Sequence, residues 1–239
     1  MSFRPWLTRV LLGLAACGGL LAAVDIAPAP GPTAAPAFTR TLYLIRHGAY
    51  DSKQPGDEDV VNGLTPLGRE QSRLTAGRLR AMPVEFSSLT CSTMTRARQT
   101  AEIIGGSFPQ LKLEATPALR ECLPRTHRSD VTKGKAPAEL DAAEAQLNRV
   151  FAKYFVPARE ADRHDIVVCH GNVIRYLVMK ALGVDPEAWL GLAVANCSLT
   201  IIQVSPQDGL KVLAVGDAGH LPPNLQSGLG RPDPPYPVP

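Results

Sequence analysis

Two short apolar runs, more than a hundred residues apart, end in the same dipeptide: Leu42-Tyr-Leu-Ile-Arg46-His47-Gly48 and Ile166-Val-Val-Cys169-His170-Gly171. Each run has the length and β-branched or aromatic content of a buried strand, and helical patterns alternate with such runs along the chain. Thr65 is a candidate N-cap with Pro66 at the first helical position, opening a helix through about Arg80. Further expected strands cover Phe86–Cys91, Ser198–Val204 and Leu210–Val215, and further helices cover Met94–Ile104, Ala138–Phe155 and Asn172–Leu182. This alternation predicts an α/β fold, a three-layer α/β/α sandwich around a mainly parallel sheet. In such sheets ligands bind beyond the carboxyl ends of the strands. Both His-Gly pairs should therefore meet at one edge.

The ends of the chain read differently. Arg4 and Arg9 precede an apolar run from Val10 to Val24, so residues 1–24 are expected to be a signal peptide or membrane anchor. Gly13, Gly18 and Gly19 make the run a poor spanning helix, and Leu14-Ala-Ala-Cys17 resembles a lipoprotein cleavage box. Residues 25–38 form a Pro/Ala linker, 39–223 the folded domain and 224–239 a proline-rich tail. The chain is thus expected to be exported or membrane-anchored, touching membrane only through its N-terminal segment. A formal net charge of +3 with no dense Lys/Arg stretch argues against a nucleic-acid partner. Cys91, Cys122, Cys169 and Cys197 have no zinc or disulfide spacing, and no carboxylate or Cys/His cluster suggests a metal. Neither a metal nor a cofactor is expected.

Between the two histidines, Ser92-Thr-Met-Thr-Arg96-Ala-Arg98 marks a strand handing over to a helix. Arg96 should point back to the sheet edge, whereas Arg98, about 200° further round the helix, should face solvent. Arg46 follows a buried run, where an unpaired cation is costly. Arg46 and Arg96 could thus clamp one tetrahedral anion through their planar forks, with Gly48 and Gly171 letting backbone approach it.

These strings carry a family resemblance. Leu44-Ile-Arg46-His47-Gly48 resembles the signature of the histidine phosphatase, or phosphoglycerate-mutase-like, superfamily. Leu64-Thr-Pro-Leu-Gly-Arg-Glu-Gln71, Ser92 to Thr100, Leu119-Arg-Glu121 and His170-Gly171 match its other marks in order, over roughly residues 40–223. The resemblance implies that His47 is the nucleophile of a phosphomonoester hydrolase. It also implies that Arg46, Arg96 and His170 bind the phosphoryl group and that Glu121 donates the proton. His47 must be neutral to attack, and neighbouring arginines favour that form.

After Gly48 the chain reads Ala49-Tyr50-Asp51, without the hydroxyl and Asn of many relatives. The insertions of glycolytic mutases are missing, which makes a mutase the lesser alternative. Leu64–Gln71, Ser92–Arg96, Asn172-Val-Ile-Arg-Tyr176 and Leu221-Pro-Pro223 resemble the membrane-anchored mitochondrial serine/threonine protein phosphatase branch. A mitochondrial membrane is accordingly the alternative to a bacterial exported relative. That branch's Trp/Asp-rich oligomerisation motif has no counterpart in the linker, and a homodimer stays possible. The partner implied is a phosphorylated protein or small phosphate ester. Residues 122–138, with Arg125, His127, Arg128, Lys133 and Lys135, form either a basic flap for a polyanion or a solvated loop. His127 and His164 are expected to be exposed bystanders. A non-catalytic scaffold that holds a phosphorylated partner is the alternative from another class.

Overall fold

The computed structural model describes residues 38–229; the expected signal segment, the linker up to residue 37 and the tail beyond 229 lie outside them. Six strands form one sheet: β1 (Arg40–Arg46), β2 (Ser88–Ser92), β3 (Leu113–Thr116), β4 (Arg163–Cys169), β5 (Leu199–Ser205) and β6 (Gly209–Asp217). Their spatial order is β3-β2-β4-β1-β5-β6. The principal helices are α1 (Pro66–Arg80), α2 (Thr95–Gly105), α4 (Pro137–Tyr154) and α5 (Gly171–Leu182), with a single turn α3 (Ser129–Thr132) in the 122–138 segment.

Alternation along β1 divides the core. Leu42 and Leu44 pack with Leu147, Val150, Ile174 and Leu177 of α4 and α5. Tyr43 and Ile45 pack on the other side with Leu79, Ala97, Ala101 and Ile104 of α1 and α2. A strand buried on both faces has to be apolar at every position, and β1 is buried from Thr41 to Ile45. The three-layer expectation therefore holds.

The sheet is mainly parallel, as expected, with one reversed strand. β1–β4, β2–β4 and β2–β3 are parallel, but β5 runs antiparallel to both β1 and β6. Only Pro206, Gln207 and Asp208 separate β5 from β6, far too few for a crossover, so a hairpin is forced. The edge strand β3 escaped sequence reading because it is short and half exposed, lacking an apolar run.

The domain also runs past the boundary expected at Pro223. Leu225 and Ser227 are buried. Gln71 on α1 donates to the Leu225 carbonyl at 2.7 Å and to Ser227 Oγ at 2.9 Å. His220 ties this region to α1 through Thr75 Oγ1 at 2.9 Å and Arg78 Nη1 at 3.2 Å. His164 is not a bystander either, since Tyr43 Oη bonds its Nδ1 at 3.0 Å. His127 is exposed, but Asp185 pairs with it. Among the described residues no helix is long and apolar enough to cross a membrane.

Candidate active site

The parallel register aligns the ends of the central strands. Arg46 stands opposite Cys169, and Cys91 opposite Val168. His47 follows directly and donates its backbone N–H to the Cys169 carbonyl at 3.0 Å. His170 is the next residue after Cys169, so the two imidazoles meet with ring centroids 5.1 Å apart. β3 ends opposite β2, and a 3-10 turn (Pro117–Leu119) then brings in Glu121. Helices α2 and α5 both begin at this edge, and their dipoles favour an anion there.

The nucleophile candidate has a defined tautomer. His47 Nδ1 lies 2.8 Å from the Gly48 carbonyl, which can only accept, so Nδ1 carries the proton. Nε2 keeps its lone pair and accepts from Arg96 Nε at 3.3 Å. Burial, followed by the Arg46 and Arg96 charges, holds the imidazole well below its ordinary pKa, against the pull of the Gly48 carbonyl. His47 is neutral at physiological pH. Asn196 Nδ2 donates to the His47 carbonyl at 2.8 Å, and Thr100 Oγ1 accepts from Gly48 N at 3.0 Å.

Burial, then His47 and the arginines, push the His170 pKa well down, so the ring is uncharged before an anion arrives. Its Nε2 bonds Ser92 Oγ at 2.8 Å. Burial likewise raises the Glu121 carboxyl to about 7, outweighing the backbone of Asn172 and the charges of Arg46 and Arg96. A carboxyl with that pKa can both give and take a proton near neutrality.

Arg46 is anchored through one nitrogen: Nη1 donates to the carbonyls of Val194 and Gly228, each at 2.7 Å. Among the described residues, seven buried side-chain N or O atoms lack a hydrogen-bond partner, and four belong to Arg46 Nε, Glu121 Oε1, His170 Nδ1 and Arg175 Nε. Buried polar atoms are normally satisfied, so this concentration at one edge marks where a polar ligand would bind. Arg175 was not singled out by the sequence. Its charge acts on both Arg46 and Glu121, and the available signal was its position one helical turn after Gly171.

Gly48 has a packing reason besides ligand approach. A Cβ on Gly48 would stand 2.5 Å from the Gly68 carbonyl oxygen, and one on Gly68 would stand 1.9 Å from that of Ala49. The two glycines let the segment after His47 lie directly on the first turn of α1. A Cβ on Gly171 would make ordinary contact with Arg46, 3.5 Å from Nε.

Arg98 lies at the rim as expected, with a side chain 41% exposed. In the 122–138 segment Arg125 pairs with Asp141, Arg128 with Asp130 and Lys135 with Glu139. Local carboxylates thus balance most of its charge. A cleft of about 340 Å³ opens beside it next to Cys122, lined by Leu123, Leu140 and Gln146 rather than by the histidines.

Residues 42–150 and 127–217 match the sequence model described as histidine phosphatase superfamily (branch 1). The chain is 38% identical over 192 residues to "Serine/threonine-protein phosphatase PGAM5, mitochondrial" of Xenopus tropicalis, covering 79% of this chain and 68% of that one. It is 39% identical over 191 residues to the Caenorhabditis elegans protein of the same description, covering 78% and 66%. The chain thus spans about two thirds of the length of these relatives. Among solved structures, phosphoglycerate mutase from Plasmodium falciparum superposes with a TM-score of 0.54 at 28% identity, covering 77% of this chain and 95% of that one.

Proposed function

The chain belongs to the histidine phosphatase superfamily, and from that premise we propose that it hydrolyses phosphomonoesters through a phosphohistidine formed on His47 Nε2. The carrying observation is the Nδ1 bond to the Gly48 carbonyl, which leaves Nε2 as the unprotonated nitrogen. In the first step the Nε2–P bond forms and the ester P–O bond breaks, while Glu121 protonates the departing oxygen. In the second, water forms a new P–O bond as the Nε2–P bond breaks, and Glu121 takes the water's proton. Arg46, Arg96 and His170 would face the phosphoryl oxygens, where fixed donors supply most of what phosphoryl transfer requires. Such a donor set does without a metal ion.

Phosphoserine and phosphothreonine in proteins are the proposed substrates, on the strength of the relatives' descriptions. The same descriptions, with the basic and apolar residues 1–24, support attachment to a mitochondrial membrane. Hydrolysis of p-nitrophenyl phosphate in excess chelator, with and without His47→Ala, tests the chemistry. Activity that survives the substitution, or that vanishes with chelator, overturns it. A panel of phosphopeptides against sugar and nucleotide phosphates tests the substrate class, and sedimentation of the same preparation tests self-association.

A further inference from the structure

An acidic segment, Asp57-Glu58-Asp59, lies on the cations that the proposed reaction needs. The Glu58 carboxylate is ion-paired with Arg96 Nη1. The Glu58 carbonyl accepts from the N–H of Thr95, the first residue of α2, at 2.9 Å. Asp59 pairs with Arg120, next to Glu121, and its carbonyl accepts from Arg98 Nη2 at 3.4 Å. The segment is shaped by a tight turn in which Asp57 Oδ1 accepts from Asp59 N at 3.0 Å. The Asp57 carbonyl accepts from Val60 N and Val61 N at 2.8 and 2.9 Å.

Arg96 consequently has a protein partner on every nitrogen. Nε serves His47, Nη1 serves Glu58, and Nη2 lies 3.6 Å from Met94 Sδ. Tyr50 covers the guanidinium, with its ring centroid 4.5 Å from Cζ. A guanidinium and a helix N-terminal N–H are also the donors that recognise phosphate, and here one glutamate engages both. The pair is asymmetric, with the Arg96 side chain 4% exposed and that of Glu58 39% exposed. The anion therefore sits on the solvent side of the pair.

We propose that Glu58 is a built-in competitor, its carboxylate occupying on Arg96 the place of a phosphoryl oxygen, so that segment 57–59 must let go before substrate binds. This inference rests on the phosphatase reading of the same site. Its rival is that Glu58 orients Arg96 for catalysis, and the two differ in sign.

The test is the affinity for inorganic phosphate by titration calorimetry, together with KM and kcat for p-nitrophenyl phosphate, in the full chain and in Glu58→Gln. Loss of the competing charge is expected to tighten phosphate and lower KM by roughly two- to fivefold, the range of a partly exposed ion pair, with kcat within about twofold. Asp59→Asn should act in the same direction and more weakly, because Arg120 is more exposed than Arg96. Glu58→Asp, which keeps the charge but shortens its reach, should resemble Glu58→Gln and guards against a folding defect in either variant. Unchanged or weakened phosphate binding, or a fall in kcat at constant KM, overturns the proposal. If the unaltered chain hydrolyses no phosphoester, the phosphatase reading fails, while the phosphate titration still decides the role of Glu58.

Discussion

The Nε–H of Arg96 is directed at Nε2 of His47 across 3.3 Å, so one guanidinium both keeps the attacking nitrogen unprotonated and lies beside the place the phosphoryl oxygens would take. Replacing Arg96 with alanine should therefore have two separable effects. kcat/KM should fall by about 10²–10³, as when a preorganised donor is lost. The His47 pKa should rise, because a positive neighbour has gone, which moves the acid limb of the pH–rate profile towards neutrality. Arg96→Lys should restore little of kcat/KM, since a point charge cannot serve Nε2 and an anion together. Steady-state kinetics across pH checks both effects.

Glu121 should be needed in proportion to the basicity of the leaving group. For Glu121→Gln, hydrolysis of phosphoserine should drop by about 10²–10⁴ and that of p-nitrophenyl phosphate much less, because a good leaving group needs no proton. In the unaltered chain the phosphoserine rate should decline as pH rises through about 7, where Glu121 loses its proton.

The same carboxyl affects stability, and the sign follows from its raised value. Folding favours the protonated form, so the contribution is full below the ordinary carboxyl pKa of 4.5 and is lost as pH rises through about 7. Glu121→Gln should therefore gain stability over the unaltered chain above pH 7, by up to about 3 kcal/mol. Urea unfolding at pH 5 and pH 8 measures the difference, and equal shifts at both would contradict the burial of this group.

Gly68→Ala should damage the site from α1. Its Cβ would fall 1.9 Å from the Ala49 carbonyl oxygen, and backbone cannot yield as a flexible side chain can. A loss of about 1–3 kcal/mol is expected from such overpacking, with activity falling further than stability because the shifted segment carries His47. Denaturant midpoints and kcat on the same samples give the comparison.

Gly228→Ala tests the C-terminal segment as a positioner of Arg46. Gly228 has φ of +77°, and a Cβ there would meet Asn196 Oδ1 at 2.3 Å and Arg46 Nη1 at 2.8 Å. Weaker phosphate binding is expected, with kcat/KM down roughly 10- to 100-fold, the range when a positioned donor shifts. Unchanged kinetics in a well-folded variant would mean that Arg46 does not depend on this strap.

The covalent sequence by itself determined the frame of this protein. Fully apolar runs such as Leu42–Ile45 and Ile166–Cys169 can be satisfied only by strands covered on both faces. A residue that ends such a strand lies at the sheet edge whatever surrounds it, which made His47, His170 and Arg46 readable in advance. What only the tertiary structure decided was pairing between segments without periodic pattern. No local rule relates Glu58 to Arg96, Gly228 to Arg46 or Gly48 to Gly68, because each contact joins a loop or turn to an element many residues away. The reversal of β5 and the protonation of His47, His170 and Glu121 belong to the same class. A pKa depends on burial and on charges brought close in space, and neither exists until the chain has folded.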